Sequence, residues 1–202
     1  MKKGLLIIIS SMLLIFIVGC TSINESSLFY TESVEVDNFF ISINETANCC
    51  FVGNYEYDGE ESNKVITVPD EYNGIPITQI GGYYGTGVPT PFQISLCVYM
   101  NTDEDSKYHG IWGGDIEDYN LEEEYTIVDV PFVLNIGKNI KSVKYVSMDE
   151  YYPYINEDES ITFFHPVVEI NCSEENEYFY SKEGRLYSKK DDKLISDFAY
   201  IK

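Results

Sequence analysis

Side chains able to do chemistry at neutral pH are sparse in this 202-residue chain: two histidines, His109 and His165, and five cysteines, Cys20, Cys49, Cys50, Cys97 and Cys172. Histidine is the side chain whose ordinary pKa puts its charge change near neutrality, so either ring is a candidate proton carrier. His165 stands seven residues before Cys172, and a thiolate–imidazole pair would need the two to meet in space. No GxSxG elbow and no Cys motif beside a Gly-rich turn surrounds them, and those are the local devices that hold a hydrolase nucleophile. The chain is therefore read as non-catalytic, with both histidines structural or exposed.

Acidic clusters suit hard cations, which take several carboxylate and carbonyl oxygens. Asn101-Thr102-Asp103-Glu104-Asp105 alternates oxygen donors, but Ser106 replaces the turn glycine of a calcium loop and Trp112 falls where its bidentate glutamate belongs. Solvated negative loops are the simpler reading, with no metal and no cofactor expected. Cys49 and Cys50 lack the paired CxxC spacing of structural zinc sites. The four cysteines beyond Cys20 read either as small buried side chains or as one or two disulfides, and four thiols allow three full pairings.

Aromatic groups are the stronger surface signal: Tyr83-Tyr84, Tyr108 with Trp112, and Tyr151-Tyr152-Pro153-Tyr154. Exposed Tyr and Trp give protein and sugar partners large contact at little entropic cost, although tyrosine in strands is often only packing. Tyr151, Tyr152, Tyr154 and Trp112 are the candidate ligand-binding residues. The Tyr-Tyr-Pro-Tyr segment contains a proline and runs into Asn156-Glu157-Asp158-Glu159, so it is predicted to be a loop.

Cys20 has a chemistry of its own. Lys2 and Lys3 precede an apolar run, Leu5 to Val18, broken only by Ser10 and Ser11. A permanent span needs about 20 apolar residues, so this shorter run reads as an export signal. Its end, Ile17-Val18-Gly19-Cys20, resembles the lipobox of bacterial lipoproteins, and the resemblance implies cleavage before Cys20 and diacylglycerol on its thiol. Residues 1–19 are expected to be the signal peptide and 20–33 a polar lipidated tether; the protein would sit on the outer face of the bacterial cell membrane. Membrane contact is expected through covalent lipid, since two acyl chains anchor stably.

Without residues 1–19 the chain has 11 basic and 34 acidic side chains, a balance of -23. Nucleic acid is excluded as a partner, because binding it requires Lys and Arg to neutralise phosphates. Adsorption to anionic headgroups is disfavoured for the same reason.

The elements that must position these residues are strands. Val, Ile, Tyr and Phe suit a pleated, half-buried surface, and no long stretch holds the apolar spacing of a helix. Residues 34–202 are predicted to form one mainly β domain with little helix. Phe39 to Ile43 and Cys49 to Val52 read as a hairpin, in which at most one of the neighbouring cysteines faces the core. Asp58-Gly59 and Asn73-Gly74 are further signals of tight turns.

Val65-Ile66-Thr67-Val68-Pro69, the turn at Asn73-Gly74, and Ile77-Thr78-Gln79-Ile80-Gly81 resemble the leader unit of the surface-antigen type of leucine-rich repeat. Leu134 to Val143 is similar, with Gly137 where that family has Pro, and Val167 to Lys190 resembles its linking segment, closed by Leu194-Ile195. The resemblance implies a short, irregular leucine-rich-repeat-like β-solenoid preceded by a β-hairpin. Units of that class recur at about 20 to 29 residues, whereas the equivalent positions Val68, Ile136 and Ile170 stand 68 and then 34 apart. Residues 82–126 match nothing in the pattern and are expected to be divergent strands with loops. By the same resemblance the chain is expected to be a cell-surface binding or adhesion module for an extracellular protein or glycan; the alternative is a structural or accessory envelope lipoprotein without an external ligand.

Overall fold

A computed structural model of the chain describes residues 32–44, 47–84, 88–99, 125–148 and 150–202. The expected signal peptide, Cys20, tether residues 20–31, His109 and Trp112 lie outside them. Strands dominate. Among the described residues there is no α-helix, only 3-10 turns at Glu61–Lys64 and Cys97–Tyr99, and no helix is long and apolar enough to cross a membrane. Glu32 and Ser33, placed in the tether by sequence, already belong to the first strand.

β1 (Glu32–Val36), β2 (Phe39–Asn44) and β3 (Cys49–Glu56) form an antiparallel meander. Its first corner is Asp37-Asn38, with φ of 48° and 68°, the paired positive values a two-residue type I′ turn needs. In β3 the alternation separates the neighbouring cysteines: Cys50 and Val52 join the main core, whereas Cys49 and Phe51 form a small cluster apart from it. That second face is covered as well, because the hairpin of β7 (Gly82–Tyr84) and β8 (Val88–Thr90) packs there, and a Cβ on Gly82 would lie 3.0 Å from Phe51 Cδ1. Cys50 and Cys172 carry free thiols.

Asp58-Gly59 makes no hairpin. Gly59 alone has positive φ, and the Asp58 carboxylate accepts the Glu60 N–H at 3.0 Å, directing the chain into the 3-10 turn. Next come β4 (Val65–Thr67), β5 (Glu71–Tyr72) and β6 (Ile75–Ile80), the last two closed by Asn73-Gly74 at φ 50° and 78°. Residues 82–99 supply β7, β8 and β9 (Ile94–Ser95), and through Phe92, Ile94 and Leu96 they add to the core. The remaining strands are β10 (Tyr125–Ile136), β11 (Ser142–Val143), β12 (Tyr152–Ile155), β13 (Ile161–Cys172), β14 (Phe179–Lys182) and β15 (Arg185–Ser188).

Two rows of parallel strands pass through the molecule. In one, β4, β10 and β13 align Ile66, Leu134 and Ile170; in the other, β3, β6 and β11 align Val52, Ile80 and Val143. Both rows feed one hydrophobic core, with Val143 partly buried at its margin. Each large apolar side chain withdrawn there is worth about 1.5–3 kcal/mol. On the opposite face of the first row the polar residues Thr67, Asn135 and Asn171 are linked in a line: Asn135 Nδ2 donates to Thr67 Oγ1 at 3.0 Å, and Asn171 Nδ2 to Asn135 Oδ1 at 3.3 Å.

This register corrects one of the sequence equivalences. Ile136 pairs with Cys172, not with Ile170. The true step is two residues longer than the motif spacing, and an error of two leaves every side chain on its proper face, so the apolar pattern cannot detect it.

Two glycines and one asparagine show why these units close. Gly81 has φ of 64°, and a Cβ there would stand 1.8 Å from Lys144 O. At Gly137, where the resembling family has Pro, a Cβ would lie 2.3 Å from Asp70 Oδ1, so the Asp70 side chain would have to shift. Asn176 is fully buried; its amide donates to Gly137 O and Ile140 O at 2.8 and 2.9 Å and accepts from the Tyr178 and Phe179 N–H groups at 2.8 and 2.7 Å. One side chain thus ties the end of the second unit to β14.

Candidate functional site

β10 and β13 are each 12 residues long, yet β4 meets β10 only at Val133, Leu134 and Asn135. The first eight residues of each, 125–132 and 161–168, therefore run past β4 as a parallel ribbon, flanked by β12 on the β13 side. Alternation along β10 turns Val130 and Phe132 to the core and Tyr125, Ile127 and Asp129 to the other face. Exposure is high at this end: Tyr125 is 44%, Ile127 46% and Val128 38% accessible. On β10 apolar side chains are thus exposed on both faces, whereas Ile161 and Phe163 of the adjoining β13 are buried.

The outward face of this ribbon holds a cleft of about 500 Å3, lined by Ile127, Asp129, Tyr151, His165, Val167 and Tyr200 among others. His165 forms its wall. Its Nδ1 is 3.2 Å from Asp129 Oδ1 on the adjoining strand and its Nε2 is 3.0 Å from the Met148 carbonyl. Both partners are acceptors, so the protonated ring satisfies both and the neutral ring only one. Tyr151 stacks on the imidazole, with centroids 4.5 Å apart and planes 12° from parallel. Across the cleft the segment carrying Ala199 and Tyr200 is strapped to β13 by Val168 N–H to Ala199 O at 2.7 Å. Tyr200 donates to Ile195 O at 2.6 Å, and burial pushes its hydroxyl pKa above the ordinary value.

His165 and Cys172 lie on opposite faces of β13, as an odd separation on a strand requires, so they do not form a nucleophile pair. Burial and the Cys49 thiol raise Cys50 to about 11, and burial also raises Cys172. Thiolates are thereby disfavoured in both. Among the described residues no Ser, Thr or Cys lines the cleft and no group of three metal-ligating side chains converges. The arrangement offers a half-exposed carboxylate, a fixed imidazole and tyrosine faces.

The aromatic segment singled out by sequence is divided. Tyr152, expected as a contact residue, is fully buried and donates to Glu150 Oε2 at 3.1 Å; it belongs to the core. The predicted loop is instead β12, an edge strand antiparallel to β13, where Pro153 is tolerated because an edge position needs no donor on its free side. Tyr154 is 42% exposed, edge-on to Phe164, and Tyr151 sits half-buried at the cleft. Asn156 to Glu159 do form the turn, with Asn156 N–H donating to Ser160 O at 2.9 Å. Asp129, Ile127, Tyr125 and Tyr200 escaped the sequence reading. The signal was the run Tyr125-Thr126-Ile127-Val128-Asp129, too uniformly strand-like to reveal which half is covered.

No family model matches the sequence, and no curated protein matches it. Among solved structures the chain is similar to the crystal structure of the pneumococcal vaccine antigen PcpA, at 12% identity and a TM-score of 0.20, over 80% of this chain and 55% of that one. The chain thus spans about half the length of that protein. A TM-score this low leaves fold and function to be argued from the chain itself.

Proposed function

We propose that the protein is a non-catalytic binding or adhesion module that recognises an extracellular protein or glycan at the overhanging end of β10 and β13. The carrying observation is the exposure of Tyr125 and Ile127 on the face of the cleft walled by Tyr151, His165 and Asp129, with Val128 and Tyr154 exposed on the opposite face of the same ribbon. Aromatic anchors beside a few oriented polar groups are the usual composition of a recognition site. The two parallel rows and the Thr67–Asn135–Asn171 ladder support reading the body as a short, irregular solenoid of the leucine-rich-repeat kind, whose core is continuous across its units. Cys20, at the end of the lipobox-like sequence, is the proposed anchor holding this body at the outer face of the membrane.

Two experiments test the reading. The full chain, immobilised, is exposed to a glycan array and to extracellular matrix and envelope proteins, with Tyr151→Ala/Tyr154→Ala as the altered surface and Tyr152 left intact because it is core. Loss of a captured ligand in the double variant supports the site; capture of nothing by the unaltered protein ends the binding reading. Metabolic labelling with a fatty acid tests the anchor, and label persisting in Cys20→Ser refutes it.

A further inference from the structure

The chain is acidic, but its charge is unevenly distributed. Between residues 20 and 137 only Lys64 and Lys107 oppose 21 acids, whereas nine of the eleven basic residues beyond the signal segment lie from Lys138 onward. Three of these nine, Lys141, Lys189 and Lys190, line one cleft of about 290 Å3 at the outer side of β14 and β15, together with Ser188, Tyr178 and a single acid, Glu177. Their neighbours are differently engaged: Lys138 is 3.5 Å from Glu175 and Lys193 is 3.5 Å from Asp191. Among the described residues no carboxylate lies within ion-pair distance of Lys141, Lys189 or Lys190.

Lys189 is also fixed in place. Its ammonium donates to the main-chain carbonyl of Asn176, which its own four side-chain bonds hold rigid in the core. The cleft therefore gathers a local charge of about +2 and keeps one ammonium at its wall, an arrangement that repels itself and that a doubly charged anion would offset. Of the nearer acids, Asp191 lies at Ser188 but is shared with Lys193 and Asp192 takes the Tyr180 hydroxyl, while charges beyond about 8 Å are largely screened at physiological ionic strength. Tyr178, 42% exposed, and the ring of Phe179 give the cleft an apolar side against which the carrier of such an anion can rest.

We propose that this cleft is a binding site for a tetrahedral oxyanion, a phosphate or sulfate group, separate from the aromatic cleft on β10 and β13 and independent of its role. The site acts by charge and by lysine donors, so its affinity falls with added salt.

The test is an amide-shift titration of the full chain, in nonionic detergent at low ionic strength, with inorganic phosphate, inorganic sulfate and glycerol phosphate. Saturable shifts are expected at Lys141, Ser188, Lys189 and Lys190, at least tenfold weaker in Lys141→Gln/Lys190→Gln and several-fold tighter in Glu177→Gln. These three side chains are exposed, so the variants fold, and unchanged near-UV circular dichroism checks it. Glycerol phosphate binding tighter than inorganic phosphate identifies an ester-borne group, and equal or weaker binding identifies the free anion; either retains the site. The absence of saturation up to about 100 mM phosphate, where even a Kd near 10 mM would show, overturns the proposal. Binding that the lysine pair does not weaken, or that Glu177→Gln fails to strengthen, overturns it equally.

Discussion

Replacing Asn176 by alanine removes two donors from Gly137 O and Ile140 O and the acceptor shared by the Tyr178 and Phe179 N–H groups. A buried hydrogen bond contributes about 1 kcal/mol net, and orphaned partners cost more than the mean, so four lost bonds imply about 4 kcal/mol. The side chain is fully buried, which denies water an easy route to the abandoned groups. Asn176→Asp sharpens the argument, because a carboxylate keeps the two accepting contacts while facing two carbonyl oxygens. Its folded-state pKa should therefore be raised. A raised carboxyl pKa gives stability that is present below the unfolded value, near 3.9, and lost as pH rises through the folded one, so the aspartate variant should be weakest at neutral pH and recover on acidification. Urea unfolding of the full chain followed by circular dichroism measures both. A cost below about 1 kcal/mol for Asn176→Ala would mean that Asn176 does not tie the second unit to β14. An aspartate variant equally stable at pH 7 and pH 4 would refute the donor assignment.

Gly81→Ala should cost at least about 2 kcal/mol, because positive φ is joined by a clash with Lys144 O, whereas Gly74→Ala, with open space around it, should cost about 1 kcal/mol for its φ alone; equal losses in urea unfolding would contradict the close approach. Tyr152→Ala should lose about 4 kcal/mol by emptying a core site, while Tyr154→Ala stays within about 1 kcal/mol, and thermal melts of the two variants separate core from surface. Burial raises the Glu150 carboxyl pKa, so its contribution is favourable at low pH and declines as pH rises through the folded value. Glu150→Gln should accordingly stabilise the protein at neutral pH relative to acid pH, and a pH series of melts in which the gap between variant and parent stays constant would refute it.

How much was visible beforehand depends on the periodicity that carried it. The hairpin β2–β3 and the turn at Asn73-Gly74 were readable because strand alternation and left-handed turn residues are local properties. Strand content followed from Val, Ile and Tyr usage. Asp37-Asn38 shows the limit of a turn rule tied to glycine, since both residues take positive φ without one. Pairing across 68 and 36 residues was only partly legible: Ile66 and Leu134 match, but the shift of Ile170 against Ile136 preserves facing and leaves no trace in the pattern. Tyr152 was misplaced for a related reason. A tyrosine in a Pro-containing segment reads as exposed, but Tyr152 lies on the core-facing side of an edge strand whose free side accommodates Pro153.

The candidate site lies where the strands outrun their parallel neighbours. Where a unit stacks on its neighbours, as at Ile66, Leu134 and Ile170, one face of each strand is buried and the other is committed to the Thr67–Asn135–Asn171 ladder. β10 and β13, each 12 residues long, extend well beyond the three residues of β4. Freed from the stack, the same strand-forming residues present Tyr125, Ile127 and Asp129 outward and bring His165 against Tyr151. Local violations of an otherwise consistent pattern are where function is expected to reside, since uniform stacking leaves it no room. Tyr125→Ser/Ile127→Ser should therefore abolish ligand capture while sparing the ladder, and a variant that leaves capture intact would move the site elsewhere.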